Sequence, residues 1–152
     1  MRPNLVKGII ALEPSGPPFT RRPPLGSGPA FPFGLTDLPI AYDPPAGPNA
    51  ENLSTVTIPA PDASHYESIL QAEPAKKLVN LSKVPTLVVT AEASYHAPYD
   101  HCTVQFLRQA GVDVEHADLG KEGIKGNGHM LFMEKNNIEI AERVYQWLEK
   151  QT

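Results

Sequence analysis

The chain has 152 residues, 41% of them hydrophobic and 20% charged, and a formal net charge of −4, the composition of an ordinary single soluble domain. Thirteen Lys and Arg against seventeen Asp and Glu leave no basic stripe, which excludes nucleic acid and anionic membrane surfaces as default partners. The apolar run Leu5 to Leu12 is too short for a membrane span or a convincing signal peptide, so a cytoplasmic location is the default; Cys102, the single cysteine, excludes an internal disulfide framework and any multi-cysteine zinc site.

In chain order, Leu5-Val6-Lys7-Gly8-Ile9-Ile10-Ala11-Leu12 is a nearly continuous apolar run ended by Glu13-Pro14, which predicts a first strand buried on both faces. Proline then dominates: fourteen of the seventeen prolines lie within the first 61 residues. Segments such as Pro14-Ser15-Gly16-Pro17-Pro18, Arg22-Pro23-Pro24 and Asp43-Pro44-Pro45 cannot run through a helix or a central strand, because proline lacks the amide donor and fixes φ. Phe19, Phe31, Phe33, Leu35, Ile40 and Tyr42 make the stretch too apolar for a solvated linker. Residues 14–82 therefore read as a packed, irregular cap or lid inserted between the first two strands. Within it, Glu67 to Glu73 and Ala75 to Leu81 are predicted as short helices.

Val84-Pro85-Thr86-Leu87-Val88-Val89-Thr90-Ala91 predicts a second buried strand, with Pro85 near its start where a missing donor costs least. Asp100 is placed to cap a helix through Ala110, with Thr103, Phe106, Leu107 and Ala110 on its inner face and Gly111 as the left-handed stop. Val112 to Leu119 alternates apolar and polar residues, as an edge strand with one wet face does. A last helix runs from Asn136 or Asn137 to about Lys150, with Glu139 completing a capping box and two apolar rows, Ile140-Val144-Trp147 and Ile138-Ala141-Tyr145-Leu148. About three mostly parallel strands with covering helices make this an α/β fold.

In open α/β sheets ligands meet residues at the carboxyl ends of the strands, and Glu13 and Glu92 each follow a predicted strand directly. After the third strand comes Gly123-Ile124-Lys125-Gly126-Asn127-Gly128-His129, a glycine-dense loop able to aim one imidazole. A strand-end acid and a loop histidine are the orienter and the base of a hydrolytic triad.

At Ile9-Ile10-Ala11-Leu12-Glu13-Pro14-Ser15-Gly16-Pro17-Pro18, at Ala91-Glu92-Ala93-Ser94-Tyr95-His96-Ala97-Pro98-Tyr99-Asp100 and at Gly126-Asn127-Gly128-His129-Met130, the sequence resembles the α/β-hydrolase superfamily. It is most similar there to esterase-like hydrolases whose triad acid is a glutamate after the sixth strand, and the resemblance spans nearly the whole chain. It implies a carboxylic-ester hydrolase, with Glu13 the triad acid, His129 the general base and residues 14–82 the cap. The nucleophile in that superfamily is a serine on a G-x-S-x-G-type elbow ahead of the acid. None of the seven serines here stands in such an elbow. The 152 residues thus read as the C-terminal part of a hydrolase, in one partial domain, expected to be inactive alone and to act on a small-molecule ester only when completed by an N-terminal half. Loss of the nucleophile costs on the order of 10⁶ in kcat in a serine protease.

Several other readings stand beside this one. Glu92 and Asp100 are the alternative acids, and Tyr95, His96 and Met130 are candidates to contact substrate. His96 and His101 flank Tyr99-Asp100 without matching a zinc signature, so no metal and no cofactor is expected. Cys102 beside His101 is a weaker candidate nucleophile. Lys121, Glu122 and Lys125 resemble a phosphate cradle only loosely, and Asn52-Leu53-Ser54 and Asn80-Leu81-Ser82 match a glycosylation sequon that is frequent by chance. The alternative function is a catalytically silent remnant that binds or self-associates through the exposed edge of its first strand.

Overall fold

Thr86 to Thr90 are all buried, Leu87, Val88 and Val89 completely, because this strand has a neighbour on each side and a helix over each face. A computed structural model describes residues 3–151. In chain order its strands are β1 (Ile9–Leu12), β2 (Thr20–Arg21), β3 (Gly28–Pro29), β4 (Tyr42–Asp43), β5 (Thr55–Ile58), β6 (Ser68–Gln71), β7 (Lys77–Leu78), β8 (Thr86–Thr90) and β9 (Val114–Asp118). The α-helices are α1 (Asp100–Gln109), between β8 and β9, and α2 (Asn137–Glu149). The principal sheet has the order β1-β8-β9 and is parallel throughout, in the register Ile9↔Thr86, Leu12↔Val89, Thr86↔Val114 and Thr90↔Asp118.

The period-two alternation of β8 divides the core. Val88 faces one cluster with Phe106 and Leu107 of α1, Ala110 just after it, Val114 of β9, and Phe33, Tyr42 and Leu78 from the segment between β1 and β8. Leu87 and Val89 face a second cluster with Ala117, Leu119, Leu131 and, from α2, Ile140 and Trp147. α1 ends as its sequence predicts: Gly111 takes φ +83°, and Val112 N donates to Leu107 O.

Four expectations need correction. The first strand covers Ile9–Leu12 alone, and Pro3–Leu5 form a 3-10 turn; the strand is half-exposed, with Ile10 and Leu12 open on one face, because among the described residues it pairs only with β8. The short helices expected at 67–73 and 75–81 are β6, paired antiparallel with β5, and β7, paired with β4, followed by a 3-10 turn at Leu81–Lys83. Two adjacent apolar residues, Ile69 and Leu70, fit either period, and the pairing partner Thr55–Ile58 decided between them. Asp100 lies inside α1 and gives its backbone no side-chain cap. The capping box of α2 is likewise not formed, and its second row stays at the surface, with Ile138 68% and Tyr145 58% exposed.

Between β1 and β8 the chain builds three two-stranded ribbons, β2-β3, β4-β7 and β5-β6. They lie against α1: Phe19 meets the Phe106 ring edge-on at 5.5 Å, and Gln71 N donates to Gln109 Oε1. Over Phe106 the chain passes so closely that a Cβ at Gly34, where φ is +88°, would stand 2.3 Å from the ring. Only glycine fits that crossing.

Candidate active site

Glu13 ends β1 in the left-handed region at φ +48°, while its amide still donates to Val89 O. A non-glycine residue held there stores roughly 1–3 kcal/mol of backbone strain. The turn folds the carboxylate back across the end of β8, where its side chain is 0% exposed. Three donors meet it: Ala91 N at 2.9 Å on Oε1, and Ser94 Oγ at 2.7 Å and His129 Nδ1 at 2.6 Å on Oε2. A buried carboxylate remains charged when donors replace the water it has lost. With Nδ1–H donating to Glu13, the other ring nitrogen of His129, Nε2, carries the free lone pair.

His129 reaches this position on the glycine loop, and two carboxylates hold that loop by its backbone. Glu92 Oε2 accepts Gly126 N at 2.9 Å while its Oε1 pairs with Lys125 Nζ at 2.8 Å, and Ala93 N donates to Asn127 O. Glu134 Oε1 accepts Gly128 N at 3.0 Å. Gly126 stands at φ +78°, a conformation that L side chains resist. Lys125 and the Gly126 amide hold the Glu92 carboxyl below its ordinary range.

Beneath the His129 ring lies His96, parallel to within 5° and 4.8 Å away between centroids. Glu13, His96 and His129 bring potential metal-ligand atoms within 4.8 Å of one another. The parallel rings argue against a shared ion, since in-plane lone pairs of stacked imidazoles do not converge, and the Glu13 oxygens already accept three donors.

The structure thus brings Glu13 and His129 together and sends the two alternative acids elsewhere. Glu92 binds the loop backbone, and Asp100 accepts His96 Nδ1 at 3.0 Å and Thr90 Oγ1 at 2.8 Å. Tyr95 is half-buried with its ring 4.8 Å from that of His129; Met130 is exposed; His96 is buried. The Cys102 thiol is fully buried and its pKa is pushed up by that burial, so it is not a poised thiolate. Lys121 and Lys125 are engaged by Asp118 and Glu92, and Glu122 by Arg143, which also reaches Glu115 and ties α2 to β9. Sequence reasoning missed Ser94 as a donor to Glu13 and Glu134 as a clamp on the loop. The serine, four residues past the end of β8, carried no pattern of its own, and Glu134 lay beyond the last residue of the recognised motif.

Replacing Glu13 by Gln presents one acceptor and one amide donor to three donors. Glu13→Gln is expected to lower unfolding free energy by about 1–3 kcal/mol, read from denaturant midpoints. Burial holds the pKa of both His101 and His116 below the ordinary histidine range. Below about pH 6.5 the unfolded chain binds these protons more readily than the folded chain does, so stability drops as the solution is made more acidic. A His101→Gln, His116→Gln double variant should flatten that slope, measured as the denaturant midpoint against pH.

The chain is 63% identical over 150 residues, 99% of its length, to a curated protein described as "Probable secreted lipase phiG" from Fungal sp. (strain ATCC 74256). It spans 41% of that relative's length. No family model matches the chain, and no solved structure matches it.

Proposed function

We propose that this chain is the acid- and histidine-bearing part of an α/β-hydrolase-type carboxylic-ester hydrolase. The observation that carries the reading is the buried Glu13 carboxylate donated to by His129 Nδ1 at 2.6 Å, across 116 positions of sequence. In this reading Glu13 fixes the tautomer and stabilises the imidazolium, and His129 Nε2 takes the proton of an attacking hydroxyl and returns it to the leaving alcohol. Ser94 is not that hydroxyl, since its Oγ is buried and bonded to Glu13. The attacking serine belongs to a segment outside these 152 residues. The similarity to a protein described as a secreted lipase supports the ester class.

The surface around β1 supports completion by such a segment. One face opens on a groove of about 430 Å³ lined by Ile10, Leu12, Phe132, Ile138, Ala141 and Tyr145. The other opens on a groove of about 280 Å³ lined by Ile9, Ala11, Pro14, Leu35, Val88 and Leu107. An unpaired strand edge between two apolar grooves suits further sheet and helices. Residues 14–82, whose ribbons lie against α1, are the cap.

The chain alone should not hydrolyse p-nitrophenyl butyrate above background. A chimaera that supplies the part of the fungal relative outside the matched region should hydrolyse it, and His129→Ala should reduce kcat/KM by at least about 10³-fold. Hydrolysis that survives His129→Ala would contradict the proposal.

A further inference from the structure

The hydrogen bond to Glu13 fixes one nitrogen of His129 but leaves the plane of its ring open. The side chain is 37% exposed and stands on a glycine loop, so only the surfaces it lies against oppose its rotation. Those surfaces are two rings: Tyr95, inclined at 49°, and His96, stacked flat.

His96 is itself anchored with unusual completeness. Its side chain is 3% exposed, and its Nδ1 lies 3.0 Å from Oδ1 of Asp100, a carboxylate with no exposure at all. The second Asp100 oxygen accepts Thr90 Oγ1, a hydroxyl that also lies 2.9 Å from His116 Nε2. The His96 backbone amide donates to Ser94 Oγ at 3.1 Å, the same hydroxyl that donates to Glu13. Asp100 sits in the first turn of α1, where a carboxylate ordinarily serves the helix backbone. Here it is turned away from the helix and onto a ring. Burying a carboxylate against one imidazole and one hydroxyl costs more than leaving it at the helix surface, and packing alone does not require it. The ring it holds stacks against the His129 ring of the Glu13–His129 pair.

We propose that Asp100 and His96 are positioning residues for His129: Asp100 locks the His96 ring, and the locked ring sets the plane of the imidazole whose Nδ1 Glu13 holds. Two carboxylate–imidazole pairs then lie side by side, one presenting a free Nε2 and the other serving as its floor. The groups that face this stack are Glu13 from the end of β1, Asp100 from α1, and Tyr95 and Tyr99 from the segment of His96 itself. The consequence for catalysis rests on His129 being the general base, as proposed above; the positioning itself does not.

Proton NMR of the 152-residue chain tests this without substrate, so the hydrolase reading and the positioning can fail separately. The unsubstituted chain should show cross-ring NOEs between His96 and His129 and a downfield, slowly exchanging His129 Nδ1–H signal. That signal should broaden away in His96→Ala while the β8 amides keep their exchange protection, and should be retained in His96→Phe, which restores a flat ring. A sharp, unmoved His129 Nδ1–H signal in folded His96→Ala overturns the proposal. So does the absence of the cross-ring NOEs in the unsubstituted chain, which decides the matter even where His96→Ala does not fold.

Discussion

A carboxylate with no solvent exposure must have its charge met by donors, and Glu13 meets this constraint with one backbone amide, one hydroxyl and one imidazole drawn from three places in the chain. Much of the local structure follows from that requirement. The left-handed turn at Glu13 brings the carboxylate over the end of β8; Ala91 follows β8 directly and Ser94 three residues later; and the glycine loop brings in the histidine. Removing any one of them leaves a buried charge short of a donor, which is why the strained turn can persist.

The sheet makes this meeting possible. β1 and β8 run parallel in adjacent positions, so their carboxyl ends coincide, and the residues leaving each strand emerge side by side. α1 starts close by, and its first residue, Asp100, comes back under the site to hold His96. On the far side Glu92 and Glu134 each take one backbone amide of the loop, so that the part of the molecule richest in glycine is also clamped at Gly126 and Gly128. Rigidity here comes from carboxylates gripping backbone together with the packing of Ile124 into the core.

What the sequence made legible was the part governed by local pattern. The run at 84–91 is β8 because a continuous β-branched stretch has few other outcomes, and Gly111 stops α1 because no other residue accepts its conformation so easily. The juxtaposition of Glu13 with His129 was legible only through resemblance to a known family, since no periodicity links residues 116 positions apart. The ribbons in residues 14–82 were not legible, because each strand there is two to four residues long and takes its form from a distant partner: Thr55–Ile58 for β6, Tyr42–Asp43 for β7. Asp100 was misread as a helix cap for a related reason. Its position in α1 fits a cap, but its carboxylate is taken by His96 and Thr90, and neither choice shows in the spacing. Nothing in the sequence of α2 shows which of its two apolar rows stays exposed.

Glu13 fixes His129 as the Nδ1–H tautomer with Nε2 bare. Two-bond proton–nitrogen correlation on the ¹⁵N-labelled chain, at a pH where the ring is neutral, reads this directly. His129 Nδ1 should have the chemical shift of a protonated nitrogen and Nε2 that of an unprotonated one. The opposite tautomer, or two nitrogens averaged to the same shift by a freely exchanging ring, would contradict it.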